Sequence, residues 1–201
     1  MSVEVFDKNG KKSKVGKKGE LVCTKPFPSM PIGFFNDSNK QQYKKSYFEK
    51  FENIWTHGDY AELTENNGLI IHGRSDATLN PGGVRIGTAE IYRQVEKMPE
   101  ILESVAISET DNQDTLITLF IVLKEGYTLT SELKERIKQH LKINASPRHV
   151  PNKIIAVPDI PRTLSGKIAE LSVKAAIEGR RIENINALAN PDSLKFFNKE
   201  N

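Results

Sequence analysis

The chain carries one cysteine, one tryptophan, no large excess of either charge and no long apolar run. Cys23 has no partner for an internal disulfide, which excludes a disulfide-stapled scaffold and fits a reducing compartment such as the cytoplasm. No stretch reaches the roughly 20 apolar residues that cross a bilayer, so no membrane-spanning role is expected. Met1 to Gly10 lacks the pattern of a signal peptide. Lys and Arg number 29 against 26 Asp and Glu, a net charge of +3, with both signs interleaved along the chain. The absence of a basic block argues against a nucleic-acid partner. His57, His72, His140 and His149 show no ligand spacing, so no protein-held zinc is expected. There is no internal repeat and no low-complexity segment.

What is present suits one or two small domains with cores of their own: 201 residues, 37% of them hydrophobic. Val3 to Phe6 alternates as a strand and runs into the turn Asp7-Lys8-Asn9-Gly10, with Gly19 to Thr24 as its partner. Pro26, Pro28 and Pro31 enforce an extended loop. Tyr43, Tyr47 and Phe51 lie at helical spacing, predicting an amphipathic helix over Lys40 to Phe51 with an aromatic core stripe. Tyr60 to Leu63 and Leu69 to His72 read as a hairpin around Glu65-Asn66-Asn67-Gly68. The second half alternates helix and strand. Helices are predicted over Thr88 to Met98, Glu132 to Ile143 with Ser131 as cap, and Ile168 to Glu178 ended by Gly179. Strands are predicted over Leu102 to Ser108, Leu116 to Leu123 and Lys153 to Val157, with a polar loop from Glu109 to Thr115. The run Leu116 to Leu123 is apolar almost throughout, the mark of a central strand covered on both faces. The fold class expected is α/β (α+β): a β-rich first part, then a small domain with a three-stranded sheet and packed helices. Lys195 to Asn201 reads as a frayed terminus.

Two segments concentrate the chemistry. One is Gly73-Arg74-Ser75-Asp76-Ala77-Thr78-Leu79-Asn80-Pro81-Gly82-Gly83-Val84-Arg85, the other Pro161-Arg162-Thr163-Leu164-Ser165-Gly166-Lys167. Arginines, glycines and a lysine on a glycine-containing loop suit phosphate and carboxylate groups. The second segment is no P-loop, because Pro161 stands where that motif needs its first glycine and Ile168 where it needs Ser or Thr. With Trp55-Thr56-His57-Gly58-Asp59, these segments resemble the C-terminal part of the acyl-adenylate-forming (AMP-binding) enzymes. The runs Ser75 to Arg93 and Ala145 to Lys167 and the tail Ala187-Leu188-Ala189-Asn190-Pro191 are most similar to the branch that ligates acetoacetate to CoA.

The resemblance implies a role for each matching residue. Asp59 and Arg74 would hold the ribose of the adenylate. In isolation, Asp59 reads better as a turn residue stabilising its own backbone, and the alternative for Arg74 is a surface ion pair with Asp76 or Glu62. Asp76 would be the hinge. Gly83 would border the path of the CoA pantetheine arm, Arg85 would face phosphate or CoA, and Lys138 the CoA 3′-phosphate. Lys167 would bridge the substrate carboxylate and the α-phosphate. Arg148 and His149 face a site or simply pack, and Glu90 reads as a charge at a helix N-terminus. Three departures stand out: His57 where relatives carry Thr or Ser, Ala77 where most carry a second acid, and Asn80 where many carry Lys. The first leaves hydrogen bonding to the nucleotide open at that position, and the last two agree with the short-chain acyl branch.

The fold implied is the end of a large AMP-binding domain over residues 1–75 and a mobile lid domain over residues 76–201. The rest of the large domain, with its Ser/Thr/Gly-rich phosphate loop, is matched nowhere here and is the implied partner. The substrates implied are ATP, acetoacetate and CoA, with AMP and pyrophosphate released and Mg²⁺ accompanying ATP. A lysine acetyltransferase and deacetylase acting on Lys167 are implied as regulators. The competing readings are an acetyl- or propionyl-CoA ligase and a non-catalytic stand-alone lid module.

Overall fold

Asp7 turns the chain back at once: its carboxylate accepts from the backbone amides of Asn9 (2.8 Å) and Lys11 (3.0 Å). Those bonds hold its pKa below the usual carboxylate value. The computed structural model describes residues 1–111, 114–182 and 184–197. They divide into two compact units, Met1–Asp76 and Ala77–Asn201.

The first unit is an antiparallel sheet of β1 (Val3–Phe6), β2 (Lys18–Cys23), β3 (Trp55–Leu63) and β4 (Leu69–Arg74), in that order. Val5, Leu21 and Ala61 form its small core. Between β2 and β3 lies α1 (Gln41–Phe48), which ends before the aromatic spacing suggests. Asn53, in the left-handed region at φ 59°, turns the chain into β3 before another helical turn can form. Lys40 is also left-handed and offers no side-chain cap. Asp37 caps instead, accepting from Tyr43 N (2.8 Å) and Gln42 N (3.2 Å). The aromatic stripe is not a buried core. Tyr43 and Tyr47 are half-buried around Trp55, with Tyr47 stacked on its ring at 3.7 Å, while Phe51 packs edge-on against Phe6.

The second unit holds a three-stranded sheet in the order β5 (Ile101–Asp111), β6 (Asp114–Leu123), β7 (Lys153–Ala156). β5 and β6 are antiparallel, β6 and β7 parallel. The strands run into the segment read as a polar loop, because ladder pairing such as Glu109 with Leu116 needs only backbone groups. Residues 112 and 113 lie outside the described residues.

Ile117 to Val122 of β6 are all buried, and the apolar side chains alternate between two clusters. Ile117, Leu119 and Ile121 join one core cluster with α2 (Thr88–Val95) and α3 (Ser131–Asn144). Phe120 and Val122 join a second with α4 (Glu170–Ile177) and the tail. Because side chains alternate faces at period two, the clusters lie on opposite faces of the sheet.

The cap of α3 is Thr130, not Ser131. Its backbone is extended (φ −84°, ψ 166°) and its hydroxyl accepts from Leu133 N at 3.2 Å. Thr130→Ala is expected to cost about 1 kcal/mol, read as a lower thermal midpoint, while Ser131→Ala costs a few tenths. α2 stops at Val95 rather than Met98, although Met98 stays buried. α4 starts at Glu170 because Ile168 pairs with Arg162 in an antiparallel bridge. The tail is no frayed end as far as it is described. A 3₁₀ segment, Pro191–Phe197, buries Leu194 and Phe197, and the Phe197 ring meets Phe120 edge-on at 4.9 Å. Residues 198–201 lie outside the described residues.

Candidate functional site

At the end of the β3–β4 ribbon the register places Asp59 opposite Arg74. The Arg74 guanidinium donates from Nη1 to His57 O (3.1 Å) and approaches Asp59 Oδ1 (3.7 Å). Its other edge forks onto Asp76, with Nε to Oδ1 at 3.2 Å and Nη2 to Oδ2 at 3.0 Å. Burial opposes the charge on Arg74, but the Asp76 bond and the charges of Asp76, Asp59 and Glu20 outweigh it and raise its pKa. Gly58 makes this corner. Its φ is +77°, and a Cβ there would lie 2.7 Å from Arg74 Nη2. Of the sequence-predicted residues, the corner brings together Asp59, Arg74 and Asp76, and it adds the ion pair that sequence offered as Arg74's ordinary role.

Glu20 belongs to the same corner and carries no signal in the sequence. It is buried, yet its carboxylate accepts from Ser75 Oγ (2.7 Å) and pairs with the Lys50 ammonium. Ser75 stands between Arg74 and Asp76, so this buried acid pins the chain just before the boundary of the unit. His57 lies between Cys23 Sγ (3.4 Å from Nε2) and Asp59 (4.0 Å from Nδ1). Burial raises the pKa of the Cys23 thiol, which keeps it protonated and unreactive.

In the second unit, Leu79 and Ile86 bridge to each other and root the loop between them in the cluster under α2 and α3. Gly82 and Gly83 take φ +56° and +77°, which other residues adopt only with strain, and the space beside each is open. Arg85 is half-buried and donates from Nε to Thr78 Oγ1 at 2.9 Å. Glu90 reaches back to the amide of Gly87 (2.9 Å), the side-chain half of a capping box. It also meets buried His149 (3.4 Å), whose other ring nitrogen contacts Ser146 Oγ (2.8 Å). His149 is therefore a packed structural residue, while Arg148 is exposed. Lys138 pairs with Glu135 along α3 at 2.9 Å.

Lys167 ends a tight hairpin. Thr163 N donates to Lys167 O (2.8 Å), Gly166 turns the chain at φ +82°, and Arg162 Nη1 donates to Gly166 O (2.6 Å). Arg162 is itself held by an ion pair with Glu103, which raises its pKa against the effect of burial. The Lys167 side chain is exposed. Ile160, Ala169 and Leu188, which flank the hairpin, belong to the cluster under α4. The Gly83 loop and the Lys167 hairpin are thus rooted on opposite faces of one sheet. Lys167 donates no side-chain hydrogen bond to any described residue, so its ammonium is open to an anion. Among the described residues no group of three or more His, Cys, Asp or Glu is placed to hold a metal ion. Likewise, no described helix is long and apolar enough to cross a membrane.

Comparison with known proteins agrees over nearly the whole chain. Residues 91–167 match the family described as AMP-binding enzyme C-terminal domain. The acetoacetyl-coenzyme A synthetase of Rhizobium meliloti (strain 1021) is 54% identical over 197 residues, 98% of this chain and 30% of that protein. The acetoacetyl-CoA synthetase of Mus musculus is 41% identical over 199 residues, again 98% of this chain and 30% of its own length. Among solved structures, acetoacetyl-CoA synthetase from Streptomyces lividans superposes with a TM-score of 0.91 at 42% identity, over 98% of this chain and 30% of that one. The chain therefore spans about 30% of the length of the curated relatives it matches.

Proposed function

The chain belongs with the acetoacetyl-CoA synthetases of the AMP-binding enzymes, and from that premise we propose that it forms the ribose-facing corner and the catalytic lid of an acetoacetate–CoA ligase. The observation that carries the reading is the rooting of the Gly83 loop and the Lys167 hairpin on opposite faces of one sheet. A single small unit then serves two half-reactions by offering one face and then the other.

In the first half-reaction the carboxylate of acetoacetate attacks the α-phosphorus of ATP and pyrophosphate leaves. Two anions approach and charge builds on the phosphoryl oxygens. The compact Lys167 ammonium stabilises that charge, while Asp59 accepts from the ribose hydroxyls and Arg74 donates to the ribose oxygens. In the second, the CoA thiolate attacks the acyl carbonyl and AMP leaves. Gly83 leaves room for the pantetheine arm, and Arg85 and Lys138 face CoA phosphates. Mg²⁺ bound with ATP would shield the phosphate charges.

Asp76 closes the first unit and is the hinge. Its pair with Arg74 is half-exposed on both sides, and such pairs are worth about 0–1 kcal/mol. Exchanging partners during a swing therefore costs little, and frees the Arg74 fork for ribose. Acetylation of Lys167 removes the charge and stops adenylation, which makes an acetyltransferase and deacetylase fitting regulators in the cytoplasm.

The test compares acids on the intact enzyme. We expect kcat/KM for acetoacetate to exceed that for acetate or propionate by roughly 10-fold or more, since a site that hydrogen-bonds the keto oxygen rejects acids lacking it. Equal rates would assign the chain to a general short-chain ligase. The 201-residue chain by itself is expected to release no pyrophosphate from ATP and acetoacetate. Release would show that these residues hold the triphosphate unaided.

A further inference from the structure

The hairpin that presents Lys167 is short. Arg162 and Ile168 form one bridge, the tip residue Leu164 is exposed, and a two-stranded ribbon alone is marginal in water. The tail supplies a third strand. Leu164 N donates to Ala187 O (2.9 Å), Thr163 bridges antiparallel to Leu188, and Ala189 N donates to Arg162 O (2.8 Å).

Asn190 locks this strand in place. Its Oδ1 accepts from Arg162 N (2.7 Å), and its Nδ2 donates to Asp159 Oδ2 (2.6 Å) and Ile160 O (2.9 Å). Asp159 is fixed in turn, accepting from Ile160 N at 2.9 Å. One amide therefore ties the hairpin's entry strand to the tail at three points. The tail is anchored on either side of Asn190: Leu188, Leu194 and Phe197 are buried in the cluster under α4, and Ser193 Oγ donates to Asn190 O (2.7 Å).

We propose that the tail segment Ala187–Asn190 is a brace for the Lys167 hairpin and that Asn190 is a positioning residue for adenylation. The proposal rests on the role of Lys167 given above. Asn190 touches no substrate. It sets where the ammonium stands, and a reacting group displaced by about 1 Å loses on the order of 100-fold in rate.

The test uses the intact ligase with four variants: Asn190→Ala, Asn190→Asp, Lys167→Ala, and a double variant that combines Asp159→Asn with Asn190→Asp. In Asn190→Ala, acetoacetate-dependent exchange of pyrophosphate into ATP is expected to fall on the order of 10-fold in kcat, with KM for ATP little changed. Thioester formation from supplied acyl-adenylate stays unchanged. Amide hydrogen exchange at Arg162, Thr163 and Leu164 accelerates while that of β6 does not. Asn190→Asp is expected to fail likewise, because it sets two carboxylates together. The double variant is expected to recover exchange in part, above the Asn190→Asp level, because the amide at position 159 then donates to the carboxylate at position 190, while that carboxylate can no longer donate to Ile160 O as the Asn190 amide does. The brace is overturned if the hairpin amides stay protected in Asn190→Ala, if both half-reactions fall together, or if the double variant gives no recovery. Full exchange activity in Lys167→Ala would instead overturn the role of Lys167, and hydrogen exchange would still decide whether Asn190 holds the hairpin.

Discussion

Replacing Lys167 by alanine in the intact ligase is expected to slow acetoacetate-dependent pyrophosphate exchange by roughly 10²–10³-fold, the cost of removing one preorganised electrostatic group from a transition state. Thioester formation from supplied acyl-adenylate stays within about 2-fold, because no charge-building phosphoryl step remains for the lysine to serve. The split between half-reactions is the informative part. A lysine that merely supported the fold would lower both rates and the thermal midpoint together. The structure argues against such a role: the side chain is exposed and bonds to no described residue, while the hairpin is held by backbone bonds, Arg162 and the tail. Lys167→Arg is expected to restore only part of the rate. Its charge is spread over a planar fork, so it cannot place one compact donor between carboxylate and phosphate. Equal loss in both half-reactions would remove the reason for a lid that changes faces.

Much of this arrangement is legible in the sequence where one local rule decides. The apolar run of β6 marks a strand covered on both faces, and both clusters claim its side chains in alternation. The pair Gly82-Gly83 marks a turn where positive φ is permitted, and both residues take it. The rest depends on contacts across the chain that no window contains. Asn190 stands 28 residues from the amide it serves, so its pattern looks like any Asn-Pro turn. Glu20 sits in a strand position that favours an apolar residue, and Ser75, Lys50 and the nearby Arg74 charge offset the cost of burying it. Thr130 and Ser131 can both cap a helix, and the backbone angles of Thr130 decide between them. The stripe Tyr43–Tyr47 has helical spacing, but its packing partner Trp55 comes from a strand, and that contact leaves the helix without a buried residue.

The second large effect is expected at Gly58, a residue with no side chain to offer a ligand. Gly58→Ala forces a Cβ onto a backbone at φ +77°, which costs about 1–2 kcal/mol by itself. It also sets that Cβ at 2.7–3.0 Å from the Arg74 guanidinium. A guanidinium ends a flexible chain, so Arg74 yields rather than the strand. Yielding breaks its bond to His57 O and its approach to Asp59. AMP binding to the intact ligase, measured by titration calorimetry, is then expected to weaken about 10–100-fold, the worth of one or two charge-assisted hydrogen bonds. Arg74→Ala is expected to weaken it by the same factor. Because both changes act through one guanidinium, the double variant binds AMP no worse than Arg74→Ala alone. Stability behaves differently: the left-handed strain belongs to Gly58→Ala and persists in the double variant, whereas Arg74→Ala loses a half-exposed ion pair worth about 0–1 kcal/mol. Additive losses in AMP affinity would mean that Gly58 shapes this corner by a route other than Arg74, and the pairing of Asp59 with Arg74 would then no longer support the nucleotide binding proposed for this ribbon end.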